Sequence, residues 1–233
     1  MPKPKQEISM PIFRVIDTET TSIEGEVIEI ASVDIVNGEI CNPISDFVRP
    51  SEPISFEAMA IHHITEEMVA DAPPIADVID KYLGADLYVA HNAAFDREKL
   101  PQITAPWICT LKLSRKLWPE EKSHGNQYLR YRFGLDPHVP DGLYAHRALY
   151  DCYVTATTLL YMNSQAHWKV SEMRDITNNP SLLHIMKFGK YRDETFADIA
   201  ATDAPYLRWC LSNIKDLGQD QQFTMRHYLG AMF

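Results

Sequence analysis

The chain has 233 residues, a formal net charge of −10 at pH 7, and 45% hydrophobic residues. This length suits one medium-sized domain with an appendage, or two unequal domains. No apolar run is long enough to span a bilayer, and the first ten residues lack the apolar stretch of a signal peptide. We therefore expect a flexible leader at 1–10 and a cytoplasmic protein that does not bind membranes. The acidic charge argues against a passive polyanion binder, but not against an enzyme whose carboxylates hold divalent cations.

The first third of the chain predicts a three-stranded antiparallel sheet. Residues 12–18 form the short apolar run that is typical of a central strand. The segment 27–36 is rich in β-branched residues and is followed by Asn37-Gly38, a strong signal for a tight hairpin. Residues 39–49 then form the returning strand.

The middle of the chain predicts alternating helices and strands. Apolar spacing indicates helical structure across 55–83, and short buried strands are expected at 86–90 and 107–109. Further helices are predicted at 94–100, 110–117, 124–133 and 147–163. Antiparallel strands followed by alternating helices and strands indicate one α/β domain with a mixed sheet over 11–165.

A second, smaller unit is expected at 166–233. A connecting helix and loop should lead to a turn at Phe188–Arg192 between short strands. Helices should follow through 196–213 and 219–230. We predict a small α+β domain that binds nucleic acid or a protein partner.

Asp17 and Glu19 stand at the end of the first predicted strand. Residues two apart on a strand point to the same face, so these two carboxylates lie side by side. Carboxylates this close repel each other unless a cation lies between them. Taken alone, the pair is better explained by a strand that leaves the core and meets water.

Two later motifs also end in an aspartate. In His91–Asp96 the carboxylate of Asp96 lies one turn into the element after a buried strand, where open α/β sheets build their sites. In His146–Asp151 the histidine precedes a predicted helix and Asp151 lies about one turn inside it, so both can face one cavity. Separately, these motifs fit a capped helix and a surface histidine.

In this order, the three motifs resemble the DEDD exonuclease superfamily, and specifically its histidine branch, which includes proofreading exonucleases. The match falls on five side chains: Asp17, Glu19, Asp96, His146 and Asp151. The sister branch has a tyrosine four residues before the last aspartate, whereas this chain has Arg147. The resemblance extends over most of 12–230. It implies a ribonuclease H-like fold, a mixed five-stranded sheet flanked by helices, with the small C-terminal α+β unit added.

The resemblance also implies a metal-dependent 3′→5′ exodeoxyribonuclease that releases 5′-mononucleotides from single-stranded and duplex DNA ends, in DNA repair. Oxygen ligands favour Mg²⁺ or Mn²⁺, and two such ions roughly 3.5–4 Å apart suit phosphodiester hydrolysis. Asp17 is expected to bridge them, Glu19 and Asp151 to complete one metal site, and Asp96 to bind the second ion. His146 is then the general base.

Six residues are candidates for binding the terminal nucleotide: Thr18, Thr20, Ile23, Ile61, His62 and Asn92. Ile23 is an apolar residue in a polar loop, and apolar side chains can wedge between base steps. The alternatives are that Ile23 folds back onto the sheet and that Ile61 packs in the core.

Two other functions stay open at this point. The first is a 3′→5′ exoribonuclease, because no residue type here reports recognition of a 2′-hydroxyl. The second is a polymerase-associated accessory or binding protein that uses its C-terminal unit, with partners that the sequence does not identify. Three groups of basic residues could follow a phosphate backbone or form a solvated face: Lys112, Arg115 and Lys116; Arg130 and Arg132; and Lys187, Lys190 and Arg192.

Overall fold

The computed structural model describes residues 11–230, so the predicted leader at 1–10 lies outside the described residues. Its sheet has five strands in the order β3-β2-β1-β4-β5. These are β1 (Phe13–Thr20), β2 (Val27–Val36), β3 (Glu39–Phe47), β4 (Leu87–Ala90) and β5 (Trp107–Cys109). β1 pairs antiparallel with β2 and parallel with β4, and β4 pairs parallel with β5. The predicted mixed five-stranded sheet is confirmed.

Ten α-helices are found in the described part of the chain: α1 (Phe56–His62), α2 (Glu66–Val69), α3 (Ile75–Val78), α4 (Ala94–Lys99), α5 (Thr110–Leu117), α6 (Asn126–Arg132), α7 (Ala148–Ala166), α8 (Val170–Asn178), α9 (Phe196–Asn213) and α10 (Gln219–Tyr228). The predicted helical region 55–83 is divided into α1, α2, α3 and a 3-10 turn. Ser55 caps the start of α1, and His63 ends it in the left-handed conformation with φ 59°. Within 11–230, none of the helices has the length and apolar character needed to cross a membrane.

The central strand tolerates a buried arginine because its charge is fully paired. The guanidinium of Arg14 donates two hydrogen bonds to Asp34, at 2.8 and 3.0 Å, and one to the carbonyl of Leu83 at 3.0 Å. Asp34 lies directly opposite Arg14 in the β1–β2 register. A buried charge is costly unless it is paired and hydrogen-bonded, and this pairing satisfies that condition.

α7 packs across β1 and β2. Its buried residues share one core cluster with Val15 and Val33 of the sheet, and the thiol of Cys152 approaches the carbonyl oxygen of Ala31 at 3.2 Å. This packing places the first turn of α7 beside the end of β1. The position of Asp151 therefore follows from the core beneath it.

The C-terminal region has a core of its own, made of Met186, Phe196, Ile199, Leu207, Cys210, Leu217 and Met225. The predicted pair of short strands is reduced to a single bridge between Ile185 and Thr195. The preceding helix α8 contributes Met173 to the core under the sheet. The boundary at 165/166 stays a prediction, since α8 packs with the larger unit.

Two cationic side chains of α5 connect the units. Arg115 forms an ion pair with Asp220 at 2.7 Å. Lys112 donates to the carbonyl oxygens of Thr177 and Asn179, at 3.0 and 2.9 Å. These residues of the first basic group hold the α5 surface against the chain that leads to the C-terminal core.

Candidate active site

Three carboxylates converge at the end of the central strand. Asp17 and Glu19 project from the same face of β1, and Asp151 approaches from the first turn of α7. One oxygen of each lies within 4.8 Å of the others. Asp17 and Glu19 share a face because side chains alternate along a strand. The packing of α7 against the sheet then brings Asp151 to them.

Burial and mutual repulsion raise the pKa values of the clustered carboxylates. The pKa of Asp17 is raised well above its usual value, first by burial and then by the charges of Asp96 and Asp151. Burial, followed by the charge of Asp151, raises the pKa of Glu19 to about 8. The cationic group that opposes this at Glu19 is Arg147, which is already bound to Glu29. The three oxygen donors therefore suit a hard divalent cation, which relieves their repulsion.

Asp96 lies beside the three-carboxylate cluster rather than within it. It is the third residue of α4 and only 2% exposed. Its carboxylate accepts a hydrogen bond from the hydroxyl of Thr18 at 2.9 Å. Burial raises the pKa of Asp96 to about 7, and its charge in turn raises the pKa of Asp17. Asp96 thus shares the electrostatic environment of the cluster.

Two amide side chains that the sequence analysis missed hold Asp151. Gln127 donates to its carboxylate at 3.1 Å and Asn126 at 3.5 Å. Asn126 also donates to the backbone carbonyl of Asp151 at 3.3 Å and to the hydroxyl of Thr155 at 3.0 Å. Two consecutive amides directly after Gly125, at the start of the predicted helix 124–133, were the available signal.

His146 is placed by its backbone, not by its side chain. Its φ is 63°, in the left-handed region, and its N–H donates to the carboxylate of Asp151 at 2.9 Å. The His146 residue is exposed, and its charge opposes the rise that burial causes in the pKa of Asp151. The loop therefore presents a solvent-accessible imidazole next to the carboxylate that its own N–H helps to orient.

Arg147, the residue that distinguishes this chain from the tyrosine branch, anchors the start of α7. Its guanidinium pairs with Glu29 on β2, with Nη2–Oε1 at 2.5 Å and Nε–Oε2 at 3.0 Å. The N–H of Ala148 donates to the same carboxylate at 3.0 Å. Glu29 faces Glu19 in the β1–β2 register. A bidentate pair fixes direction as well as distance, so it orients the helix that carries Asp151.

A cleft of about 590 Å³ opens next to Glu19. Four of the six substrate-binding candidates line it: Thr20, Ile23, Ile61 and His62. Ile23 is 84% exposed and Ile61 54%, so neither the folding back of Ile23 nor the core packing of Ile61 is observed. His62 is buried in the wall, and its Nδ1 accepts the N–H of Ile64 at 2.9 Å. Phe95 also lines the cleft, and the sequence analysis had not selected it.

The other two candidates, Thr18 and Asn92, lie outside this lining. The hydroxyl of Thr18 donates a hydrogen bond to the carboxylate of Asp96. Asn92 is exposed, with φ 71°, in the turn before α4. Their part in substrate binding, like that of the four lining residues, stays a prediction.

Comparisons with known proteins give the family of this chain. Residues 15–159 match the family described as Exonuclease, and residues 186–215 match the Exodeoxyribonuclease X-like C-terminal family. The chain is 49% identical over 218 residues to exodeoxyribonuclease 10 of Escherichia coli K12, covering 94% of this chain and 99% of that protein. It is also 35% identical over 182 residues to DNA polymerase III PolC-type of Bacillus subtilis, covering 71% of this chain and 12% of that protein.

Solved structures support the fold. Exonuclease X in complex with 5′ overhanging duplex DNA aligns with a TM-score of 0.69 and 52% identity, over 71% of this chain and 99% of that one. A structure of exonuclease I aligns with a TM-score of 0.57 at 16% identity, over 71% of this chain and 42% of that one, and shows the fold alone. The predicted resemblance and the ribonuclease H-like fold are confirmed. The chain belongs to the exonuclease family and carries an exodeoxyribonuclease X-like C-terminal region.

Proposed function

We propose that this protein is a metal-dependent 3′→5′ exodeoxyribonuclease that releases 5′-mononucleotides from DNA ends. The observation that carries the proposal is the convergence of Asp17, Glu19 and Asp151 within 4.8 Å, at the end of the central strand. The family match and the 49% identity to exodeoxyribonuclease 10 support the same reaction. Cytoplasmic location and a role in DNA repair belong to this proposal.

One Mg²⁺ or Mn²⁺ ion would be held by Asp17, Glu19 and Asp151. A second ion would be held by Asp17 and Asp96. Divalent ions bound there would activate a water molecule and stabilise charge on the phosphorane and on the leaving 3′-oxygen. The chain itself fixes the ligands: Thr18 orients Asp96, and Gln127 orients Asp151. Preorganised ligands of this kind need no rearrangement as the transition state forms.

His146 would accept the proton of the attacking water on a ring nitrogen. Its backbone hydrogen bond to Asp151 holds the loop, while the side chain remains accessible to water. General-base catalysis requires such a side chain within reach of the proton that it removes.

The neighbouring cleft would receive the terminal nucleotide. Ile61 and Phe95 offer apolar surface for a base, and Glu19 joins this cleft to the carboxylate cluster. Ile23 would act as a wedge at a duplex end, because it is 84% exposed beside the same cleft. The relative solved with a 5′ overhanging duplex supports activity at duplex ends.

Two alternatives remain testable beside this proposal. RNA is the alternative substrate. A 3′-exonuclease solved in a study of histone mRNA stem-loop recognition shares the fold alone, at 18% identity. A non-catalytic accessory protein is the alternative class, and the presence of all five matched side chains weighs against it.

The direct experiment follows release of mononucleotides from matched DNA and RNA oligomers labelled at either end, with Mg²⁺, with Mn²⁺ or with EDTA. We expect metal-dependent release from the 3′ end of DNA. The Asp17→Asn variant serves as the inactive control. Release in EDTA, initiation at the 5′ end, or faster digestion of RNA than of DNA would contradict the proposal.

A further inference from the structure

A second cleft, of about 390 Å³, lies between the sheet domain and the C-terminal region. One wall is formed by Arg115 and the loop 121–125, and the other by residues 183–188. Gly125 in this lining directly precedes Asn126, whose amide contacts Asp151. One edge of the cleft is therefore one residue along the chain from an amide that contacts Asp151.

The lining of this interdomain cleft has more cationic than anionic side chains. Three cationic side chains line the cleft: Arg115, Lys122 and Lys187. Its lining contains one carboxylate, that of Glu121. That carboxylate already accepts hydrogen bonds from Tyr128 at 2.8 Å and Arg132 at 3.0 Å. In a protein of formal charge −10, a cationic lining favours an anionic ligand.

Two of the cations are available to such a ligand. Lys122 is exposed and has no hydrogen bond or ion pair within residues 11–230. Lys187 pairs with Asp193 at 3.1 Å, but both side chains are more than 60% exposed. Exposed ion pairs contribute little to stability, so Lys187 can exchange this partner at low cost. Arg115, in contrast, is held by Asp220.

One histidine of the lining, His124, has a ring nitrogen without a partner in the part of the chain that the structure describes. Nδ1 of His124 is buried and has no hydrogen-bond partner among the described residues. Burial, followed by the charge of Arg115, lowers the pKa of His124 to about 4, so the imidazole is neutral at pH 7. A neutral imidazole offers one N–H donor, and buried polar groups of native proteins are nearly always paired. In the tautomer with the proton on Nδ1, an anionic oxygen would accept that hydrogen bond.

We propose that the interdomain cleft binds a backbone phosphate of the strand whose 3′ end is in the active site. The inference rests on the proposed nuclease function. It adds a role in substrate binding for residues 183–188 of the C-terminal region. A phosphate held here is upstream of the bond that is cleaved. The contact therefore forms with a polynucleotide and not with a single nucleotide.

The test compares the full-length Lys122→Ala/Lys187→Ala variant with a matched control, Lys169→Ala/Lys215→Ala, whose lysines are exposed and do not line the cleft. Two substrates are used: a single-stranded DNA oligomer and the 4-nitrophenyl ester of thymidine 5′-monophosphate, which has no upstream phosphate. We expect the cleft variant to raise KM for the oligomer roughly five- to tenfold and to lower the salt dependence of log KM by about 0.7 per lost contact. Hydrolysis of the ester should be unchanged.

The outcomes separate this inference from the proposed function. A cleft variant with the same oligomer KM and the same salt dependence as the control would overturn the phosphate site. An equal loss of activity on the oligomer and on the ester would overturn it as well. Wild-type protein that hydrolyses neither substrate would instead overturn the nuclease function itself.

Discussion

Arg147 forms a bidentate ion pair with the buried Glu29 next to the carboxylate cluster, with contacts of 2.5 and 3.0 Å. Glu29 lies on β2 opposite Glu19, and Arg147 immediately precedes the helix that carries Asp151. The pair therefore connects the sheet that supplies two of the clustered carboxylates to the helix that supplies the third.

Removal of one member of this pair should be strongly destabilising. Arg147→Met leaves Glu29 buried without its partner, which typically costs about 3–5 kcal/mol in the free energy of unfolding. Urea unfolding measures the loss. The double variant Glu29→Gln/Arg147→Met should recover part of it, because neither charge then remains buried alone. A single variant as stable as the wild type would show that the pair contributes nothing to stability.

The metal-free protein should lose stability as pH rises. The pKa of Glu19 is raised to about 8 and that of Asp96 to about 7, above the values of about 4 expected in the unfolded chain. Between about pH 4 and pH 8 the folded state therefore binds more protons than the unfolded state, and stability falls with increasing pH. Melting temperatures in EDTA measure this slope.

Addition of Mg²⁺ and replacement of one carboxylate provide the controls for that pH effect. Mg²⁺ should reduce the slope, because it stabilises the ionised carboxylates of the folded protein. The Glu19→Gln variant should reduce the slope in EDTA as well. A metal-free melting temperature that rises from pH 5 to pH 8 would contradict the raised pKa values.

His146→Asn should lower kcat on DNA by about 10²- to 10⁴-fold, because it removes the general base. Asparagine tolerates the left-handed backbone at φ 63°, so the loop and its N–H bond to Asp151 should persist. Thermal unfolding checks that the fold is intact. A kcat close to that of the wild type would remove His146 from the mechanism.

Gln127→Ala should raise the Mg²⁺ concentration needed for half-maximal activity by about 10- to 100-fold, because it removes the shorter of the two amide hydrogen bonds to Oδ1 of Asp151. A Mg²⁺ titration of turnover measures this shift. Gln165→Ala is the matched control, since Gln165 is exposed near the far end of α7. If both variants require the same Mg²⁺ concentration, Gln127 does not position the metal ligand.

Ile23→Ser should slow digestion of duplex ends more than of single strands, because a wedge acts at the fork. Phe56→Ser is a matched control: Phe56 is 85% exposed, as Ile23 is 84% exposed, but it does not line the substrate cleft. Initial rates on a single strand and on its duplex give the ratio. Equal slowing of both substrates by Ile23→Ser would reject the wedge.

The sequence alone determined the elements whose signals are local. The hairpin at Asn37-Gly38 forms with φ of 55° and 81°, as that dipeptide predicts. Helix α5 occupies the predicted residues 110–117. The order of the acidic motifs likewise identified the five matched side chains and the family, because each motif spans only a few residues.

The tertiary structure alone decided how these parts meet. It placed Asp96 beside the cluster through Thr18, joined Arg147 to Glu29 across 118 positions, and brought Gln127 onto Asp151. It also reduced the C-terminal strands to one bridge at Ile185 and Thr195. Such contacts depend on the packing of distant segments against a common core, and a local pattern of residue types carries no information about those distances.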